Sequence, residues 1–207
     1  NMNQYELNKE IEKFISEKDK QNYVYTSADI TYIKQYSGSG GQGSKGATGE
    51  GVLYEFYTPS FVCELMWKQA LTHGYDGGYV LEPSIATGNL IADAPDKSKC
   101  VGFEINPTTA RIVEIIYPQA KIYRGYFETA FLEPPRFTTR YKIGNKSTWL
   151  PQYPFSLVIG NPPYGKYKNA YSTYFPSPKM PQIEQFFMFY GLRLLKSGGL
   201  LVYLTSS

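Results

Sequence analysis

Short apolar segments alternate with stretches of helical period along most of this chain, and this alternation constrains the fold more than any other feature. The clearest helical stretches run from Thr108 to Ile116 and from Ile183 to Leu195. The apolar segments, each predicted to be a buried strand, are Gly78 to Leu81, Cys100 to Phe103, Lys121 to Tyr123, Phe155 to Ile159 and Leu200 to Leu204. Strands joined by helical crossovers predict an α/β fold with a doubly wound, mainly parallel sheet covered on both faces. In such sheets ligands bind at the carboxyl ends of the strands.

The composition narrows the class of protein. The chain has 207 residues, of which 42% are hydrophobic, so it can bury one ordinary core. Its net charge of +3 is too small for binding nucleic acid by charge alone, so such a partner would have to be held locally. No apolar stretch approaches the roughly 18 residues needed to cross a bilayer, which predicts a soluble, cytoplasmic protein without a membrane partner.

The cysteines and the histidine do not form a metal-binding or nucleophile pattern. Cys63 and Cys100 are the only cysteines, and His73 is the only histidine. Their spacing does not match that of metal ligands. We therefore expect no metal site, no disulfide scaffold and no Cys/His nucleophile.

The N-terminal region differs in character from the rest. Apolar residues lie near helical spacing among charged ones at Tyr5, Ile11, Phe14 and Ile15. This pattern predicts a short, amphipathic, peripheral helix. The glycine-rich segment Ser37–Gly51 is predicted to be a flexible loop. Residues 1–51 are thus expected to form a peripheral segment, and residues 52–207 the main domain.

A further helix is predicted to begin just before the first strand. Thr58 is its expected N-cap, and Pro59 lies in its first turn. Its predicted buried stripe consists of Phe61, Val62, Leu65, Met66 and Ala70.

The turn after the first predicted strand contains a carboxylate and lacks a phosphate-binding motif. Between Leu81 and Leu90 there is one glycine, Gly88, and no basic residue, so neither a P-loop nor the dinucleotide fingerprint is present. Glu82 at its mouth would repel phosphate and attract a cation. S-adenosylmethionine has the matching chemistry, because it carries a sulfonium and an ammonium and no phosphate. At the end of the second strand, Glu104 can accept two hydrogen bonds from a ribose diol.

The fourth predicted strand ends in the turn Asn161-Pro162-Pro163-Tyr164. The two prolines restrict the backbone and donate no hydrogen bonds, so the turn has a rigid shape. The side-chain oxygen of Asn161 and the carbonyl of Pro162 can both accept from one exocyclic amino group. Such acceptors match the nitrogen better as it becomes tetrahedral, and they stabilise the transition state of a methyl transfer. Tyr164 supplies a ring that can stack on the base that carries the amine.

Basic residues interleaved with aromatic ones follow the third strand and the Asn161 turn. The first group contains Arg136, Arg140, Lys142 and Lys146 with Phe137, Tyr141 and Trp149. The second contains Lys166 and Lys168 with Tyr167, Tyr171, Tyr174 and Phe175. This pattern suits a phosphate track with stacking rings. We therefore predict that the loop after Tyr164, with Lys166 and Lys168, contacts DNA.

Together these residues resemble those of the N6-adenine DNA methyltransferases in which the cofactor region precedes the catalytic motif. The matching segments are Tyr57-Thr58-Pro59, Glu82-Pro83-Ser84 with Gly88-Asn89, Glu104, and Asn161 to Tyr164. The resemblance implies a Rossmann-like methyltransferase fold, S-adenosyl-L-methionine as cofactor, and DNA with a flipped target adenine as substrate. It implies catalytic roles for Asn161, Pro162, Pro163 and Tyr164. It also implies that the cofactor is bound by Tyr57, Thr58, Glu82, Ser84, Ala86, Gly88, Asn89, Glu104, Phe127 and Asn161.

A more specific resemblance is to the methylase region of very large phage and plasmid proteins that also carry a helicase. It rests on the segments Tyr36 to Gly41 and Gly77 to Ser84, and it extends from Ala28 to about Leu204. It implies that the chain belongs with helicase or target-recognition regions of a longer protein. It also implies that the C-terminal strands of the fold are missing here.

Three positions depart from the family pattern. Ala86 replaces a glycine, and Ser156 replaces a common Asp. Tyr126 stands where many members have an acid that contacts the adenine amine of the cofactor, although Glu128 lies nearby. Two alternatives remain open from the sequence. One is a methyltransferase acting on a protein glutamine or an RNA guanine, because the same turn can hold any planar amine. The other is a degenerate cofactor- or DNA-binding module of a larger helicase protein.

Overall fold

The computed structural model describes residues 1–37, 58–132, 153–168 and 171–205, and these residues form one five-stranded sheet. The strands are β1 Tyr79–Glu82, β2 Cys100–Glu104, β3 Lys121–Arg124, β4 Phe155–Gly160 and β5 Leu195–Tyr203. They lie in the order β3-β2-β1-β4-β5, and every neighbouring pair is parallel. The predicted α/β class with a doubly wound parallel sheet is therefore confirmed. The chain order reverses between β1 and β4, which makes the carboxyl ends of these two strands the expected ligand site.

The central strands are apolar because helices cover both faces of the sheet. Every residue of β2 and of β4 is buried. The helices are α1 Gln4–Asp19, α2 Ser27–Ile33, α3 Ser60–Thr72, α4 Pro107–Ile116 and α5 Ile183–Leu194. One face of the sheet packs against α5 and an aromatic cluster that includes Phe103, Phe127, Phe155, Phe186 and Phe187. The other face packs against α3 through Cys63, Met66, Trp67 and Ala70.

The N-terminal helices pack on the outer side of α4. Ile11 and Ile33 are fully buried against a cluster that contains Ile112. The guanidinium of Arg111 donates two hydrogen bonds of 2.8 Å to the carboxylate of Asp19 at the end of α1. The predicted amphipathic helix therefore exists, and it packs against this same chain. The predicted glycine-rich loop, beyond its first residue, lies outside the described residues.

The start of α3 differs from its prediction. The helix begins at Ser60 with Pro59, and not the predicted Thr58, as its N-cap, and the N-cap makes no side-chain hydrogen bond. The predicted buried stripe is wrong in part, because Phe61 and Leu65 are 67% and 53% exposed. The α3 face that meets the sheet is set by the position of the strands, which the local apolar pattern does not encode.

The turn after β1 leads into a single 3-10 turn, Ile91–Asp93. One other boundary differs from its prediction. Strand β5 begins at Leu195, five residues before its predicted start, because Leu195 already pairs with Phe155 across an irregularity in the ladder. None of the described helices is long and apolar enough to cross a membrane.

The packing of α1 can be tested by truncating its most buried side chain. Ile11→Ala should lower the free energy of unfolding by about 2–5 kcal/mol, because it leaves a cavity between α1 and α4. Tyr5→Ala is the control, because Tyr5 is 70% exposed on the same helix, and a shift within roughly 0.5 kcal/mol is expected. Urea unfolding followed by circular dichroism measures both. Equal stabilities of the two variants would show that α1 is not part of the cooperative unit.

Candidate functional site

Pairing of β1 with β4 brings a buried acid and the Asn161 turn to the same edge of the sheet. Glu82 ends β1, and Gly160 ends β4 directly before Asn161. A Cβ atom at Gly160 would lie 2.9 Å from Oε1 of Glu82. Because residue 160 is a glycine, the carboxyl group of Glu82 has space beside the end of β4.

The carboxyl group of Glu82 is removed from solvent. The residue is 3% exposed, and its Oε1 accepts a hydrogen bond of 2.8 Å from the backbone N–H of Ser84. Burial raises the pKa of Glu82 to about 8, and the hydrogen bond from Ser84 offsets only part of this effect. A cation placed beside this group would favour its ionised form, so the site suits a positively charged ligand.

The turn after β1 uses two residues with positive φ. Ala86 has φ 51° and Gly88 has φ 88°. A Cβ atom at Gly88 would lie 2.8 Å from the ring of Tyr117, so the packing as well as the backbone requires glycine there. Ala86 has no such freedom and holds its left-handed conformation as a buried residue, at a cost of roughly 1–2 kcal/mol. A glycine at this position would remove that cost.

Two small clefts adjoin this turn. The first, of about 260 Å³, is lined by Thr58, Glu82, Ser84, Ala86, Asn89 and Asn161, among others. The second, of about 240 Å³, is lined by Ser84, Phe103, Glu104, Tyr126, Phe127 and Glu128, among others. Both volumes include space that is open to solvent. Because both clefts are lined by Ser84, they adjoin at this residue.

The side chain of Asn161 is held from two sides. Its Nδ2 donates a hydrogen bond of 3.3 Å to the hydroxyl of Thr58, and its Oδ1 accepts one from the hydroxyl of Tyr164. The Tyr164 hydroxyl also lies 3.3 Å from the carbonyl oxygen of Leu204, just beyond β5. Since an amide oxygen has two lone pairs, Oδ1 of Asn161 can accept from a second donor in the cleft.

Most of the predicted site residues are brought together. Thr58, Glu82, Ser84, Ala86, Asn89 and Asn161 line the first cleft, and Glu104 and Phe127 line the second. Gly88 is an exception, because it packs behind the turn and is not among the lining residues. Pro162 and Pro163 are buried, and Tyr164 is partly exposed. Tyr57 lies outside the described residues.

Glu128 is a site residue that the sequence indicated only as a neighbour of Tyr126. It is 1% exposed, it lines the second cleft, and its Oε2 accepts a hydrogen bond of 3.2 Å from the hydroxyl of Tyr167. Tyr126 itself packs edge-on against Tyr171, with ring centroids 5.2 Å apart. The available sequence signal for Glu128 was its position as an acidic residue shortly after the third predicted strand.

Only some residues of the predicted DNA-contacting loop are exposed, and the DNA contact itself stays a prediction. Lys166 and Lys168 are exposed, and Tyr174 is 45% exposed. Tyr171 and Phe175, predicted as stacking rings, are only 4% and 9% exposed, so this part of the prediction is wrong. They pack into the aromatic cluster that covers the sheet, which a local pattern of basic and aromatic residues does not reveal. The basic and aromatic residues between 136 and 149 lie outside the described residues.

Burial keeps the two cysteine thiols protonated and unreactive. Cys63 and Cys100 are both buried, and burial raises the pKa of each to about 12. In the described part of the chain, no group of three His, Cys, Asp or Glu side chains could hold a metal ion.

Comparison with known proteins supports this description. Residues 122–207 match the family described as Eco57I restriction-modification methylase, which confirms the resemblance to a restriction-modification methylase. The chain is also 28% identical over 164 residues to "Defense against restriction protein B" of Escherichia phage P1. That alignment covers 79% of this chain and only 6% of the phage protein.

Solved structures share the fold at low sequence identity. A protein from Listeria monocytogenes, described as a class I S-adenosylmethionine-dependent methyltransferase, is 13% identical with a TM-score of 0.52. The match covers 98% of this chain and 65% of that one. The methyltransferase subunit of a type I restriction-modification system from Streptococcus thermophilus is 17% identical with a TM-score of 0.50, over 87% of this chain and 40% of that one. The predicted Rossmann-like methyltransferase fold is therefore confirmed.

Replacing Ala86 tests the strain in the turn. Ala86→Gly should raise the free energy of unfolding by about 1 kcal/mol, because glycine adopts positive φ without a steric penalty. Ala92→Gly, at an exposed position in the next 3-10 turn, is the matched control and should lower stability by roughly 0.5–1 kcal/mol. Both are measured by denaturant unfolding. A loss of stability in Ala86→Gly comparable to the control would contradict the strained geometry.

Replacing Glu82 tests the raised pKa of its carboxyl group. Between the ordinary value of 4.5 and about 8, the folded protein holds a proton on Glu82 that the unfolded chain releases. The free energy of unfolding should therefore fall as pH rises through this window. Glu82→Gln mimics the protonated group, so its stability should change less over the same range. Parallel stability–pH curves for the two proteins would show that Glu82 ionises normally.

Proposed function

We propose that this chain carries the catalytic core of an S-adenosylmethionine-dependent DNA methyltransferase that methylates N6 of an adenine flipped out of the duplex. The observation that carries the proposal is the first cleft, in which Glu82 and Asn161 face the same space at the reversal of strand order. An acid that attracts a methyl-donating cation and an acceptor that binds an amine thus lie side by side. The match of residues 122–207 to a restriction-modification methylase family supports DNA as the substrate class.

The chemistry of the two clefts fits the proposed cofactor. S-adenosylmethionine would supply the electrophilic methyl group. Glu82 would face its positively charged end in the first cleft, and Ser84 lies where the two clefts adjoin. In the second cleft, Glu104 would accept hydrogen bonds from the ribose diol, and Phe127 would pack against the adenine ring. Among the residues that the structure describes, none that lines either cleft is basic, which disfavours a phosphate-bearing cofactor.

The Asn161 turn would hold the target amine by hydrogen bonding alone. Oδ1 of Asn161 and the carbonyl of Pro162 would each accept one N–H of the adenine amino group. Their fixed positions favour the nitrogen as it becomes tetrahedral, so they lower the barrier more than they strengthen ground-state binding. Thr58 would keep the amide from rotating, because its hydroxyl accepts from Nδ2 of Asn161. Asn161 therefore has both a catalytic role and a place in the wall of the cofactor cleft.

Tyr164 would have two roles in this mechanism. Its ring would stack on the flipped base, and its hydroxyl, bonded to Oδ1 of Asn161, would orient the amide before the base arrives. Oδ1 of Asn161 has two lone pairs, and the tyrosine hydroxyl uses one of them. The amine of an entering base can bind to the other, so the hydrogen bond from the tyrosine does not have to break first. Lys166 and Lys168, exposed just beyond the turn, would contact the DNA backbone.

The domain organisation follows from the same proposal. Residues 52–207 would form the catalytic core, and residues 1–51 would add the helical pair that braces α4. The chain spans only a small part of the phage relative and 65% of the Listeria structure. Target-recognition or helicase regions would therefore be supplied by further parts of a longer protein.

Methyl transfer from labelled S-adenosylmethionine tests the proposed function directly. The longest natural chain would be incubated in parallel with duplex DNA, RNA and protein, and labelled DNA would be digested to nucleosides. The expected product is N6-methyladenine in DNA. Label in RNA guanine or in a protein glutamine would replace the substrate assignment. Cofactor binding in calorimetry without transfer to any substrate would instead indicate a binding module.

Substitutions in the turn separate its chemical and stacking roles. Asn161→Ala should lower kcat by about 100- to 1,000-fold at saturating cofactor and DNA, because a fixed acceptor in the transition state is lost. Tyr164→Ala should weaken DNA binding by roughly 1–3 kcal/mol, whereas Tyr164→Phe should keep the stacking part. Gln69→Ala, exposed on α3, is the control. Full activity in Asn161→Ala would exclude the mechanism.

A further inference from the structure

A groove lies beside the Asn161 turn and is not used by the mechanism above. Its volume is about 730 Å³ out to open solvent, and it lies between Tyr167 and the segment from Ser172 to Pro181. Phe175 and Met180 are buried and form an apolar floor. Thr173 and Lys179 are exposed on its rim.

The groove is firmly connected to the Asn161 turn. The backbone N–H of Tyr167 donates to the carbonyl of Pro181, and that of Ile183 donates to the carbonyl of Gly165, both at 2.8 Å. Lys166 and Gln182 form an isolated antiparallel bridge between these bonds. One wall of the groove is therefore the continuation of the turn itself. A ligand in the groove would sit at a fixed distance from Asn161.

The charged residues of the segment between the Asn161 turn and α5 have one sign. From Pro162 to Ile183 the chain contains three lysines, Lys166, Lys168 and Lys179, and no Asp or Glu. All three lysines are exposed. None of the described lining residues is acidic, and Glu128, which Tyr167 contacts, is buried. An apolar floor with a cationic rim suits a ligand that combines flat apolar surface with a negative backbone.

We propose that this groove binds the nucleotide that adjoins the target base on the same DNA strand. This inference rests on the proposed function, because a polymer whose base reaches Asn161 must place its neighbouring nucleotide next to the turn. Lys179 neutralises the phosphate of that nucleotide, and its sugar lies against the apolar floor that Phe175 and Met180 form. Thr173 on the rim can donate a hydrogen bond to a phosphate oxygen. The protein groove thereby positions the DNA strand for methyl transfer without contacting base edges in the major or minor groove of a duplex.

Lys179→Glu tests the phosphate contact. In the presence of S-adenosylmethionine, this variant should bind a labelled mixed-sequence DNA duplex roughly 5- to 10-fold more weakly and lower the slope of log K against log salt by about 1. Lys13→Glu makes the same charge change at an exposed position on α1 and serves as the matched control. Calorimetry should show unchanged cofactor affinity in both variants.

A second measurement locates the strand. In DNA with 5-iododeoxyuridine next to adenine, photo-crosslinks should map to the peptide that contains residues 172–181. Crosslinks confined to other peptides would overturn the inference, and so would equal salt slopes for Lys179→Glu and Lys13→Glu. In either case, DNA methylation by the wild-type chain would leave the proposed function standing. Competition by poly-glutamate as strong as that by DNA at equal ionic strength would also overturn it. Failure of the longest natural chain to methylate DNA would remove both.

Discussion

Parallel pairing of β1 with β4 is the interaction on which the site depends. The two strands come from distant parts of the chain, and their pairing sets Glu82 beside Gly160 and therefore beside Asn161. The glycine allows the carboxyl group to fit between the strand ends. Moving either strand by one residue would reverse which face each side chain occupies and separate the acid from the turn. The register of these two strands thus determines the chemistry available at the cleft.

The electrostatic character of the site follows from this burial. Glu82 is held away from water with one backbone donor, which raises the pKa of its carboxyl group to about 8. The burial that imposes this cost also favours a cationic ligand, because an approaching cation recovers the most free energy where solvent screens it least. Ala86 adds a second local cost in the same turn. Both costs lie in the candidate site, and such local costs cluster where a defined ligand geometry is needed.

The neighbouring loop connects the second cleft to the Asn161 turn and to the core. Tyr167 contacts Glu128 in the second cleft, stacks on Phe186 of α5 and pairs through its backbone with Pro181. Tyr164 joins the end of β4 to the residue after β5 through Asn161 and Leu204. The turn is therefore held by the core on several sides. This support explains how a short loop can keep two hydrogen-bond acceptors in fixed positions.

The sequence by itself determined the strand segments, the parallel α/β class and the placement of Glu82, Glu104 and Asn161 at strand ends, because buried parallel strands are continuous apolar runs and their ends are local signals. It also identified the N-terminal helix. Only the tertiary structure decided that Phe61 and Leu65 of α3 face outward, that Tyr171 and Phe175 belong to the core, and that Gly88 supports the turn from behind. These properties depend on which distant surface each residue meets. A helical or aromatic pattern records which residues can be buried, and the packing of the sheet selects those that are.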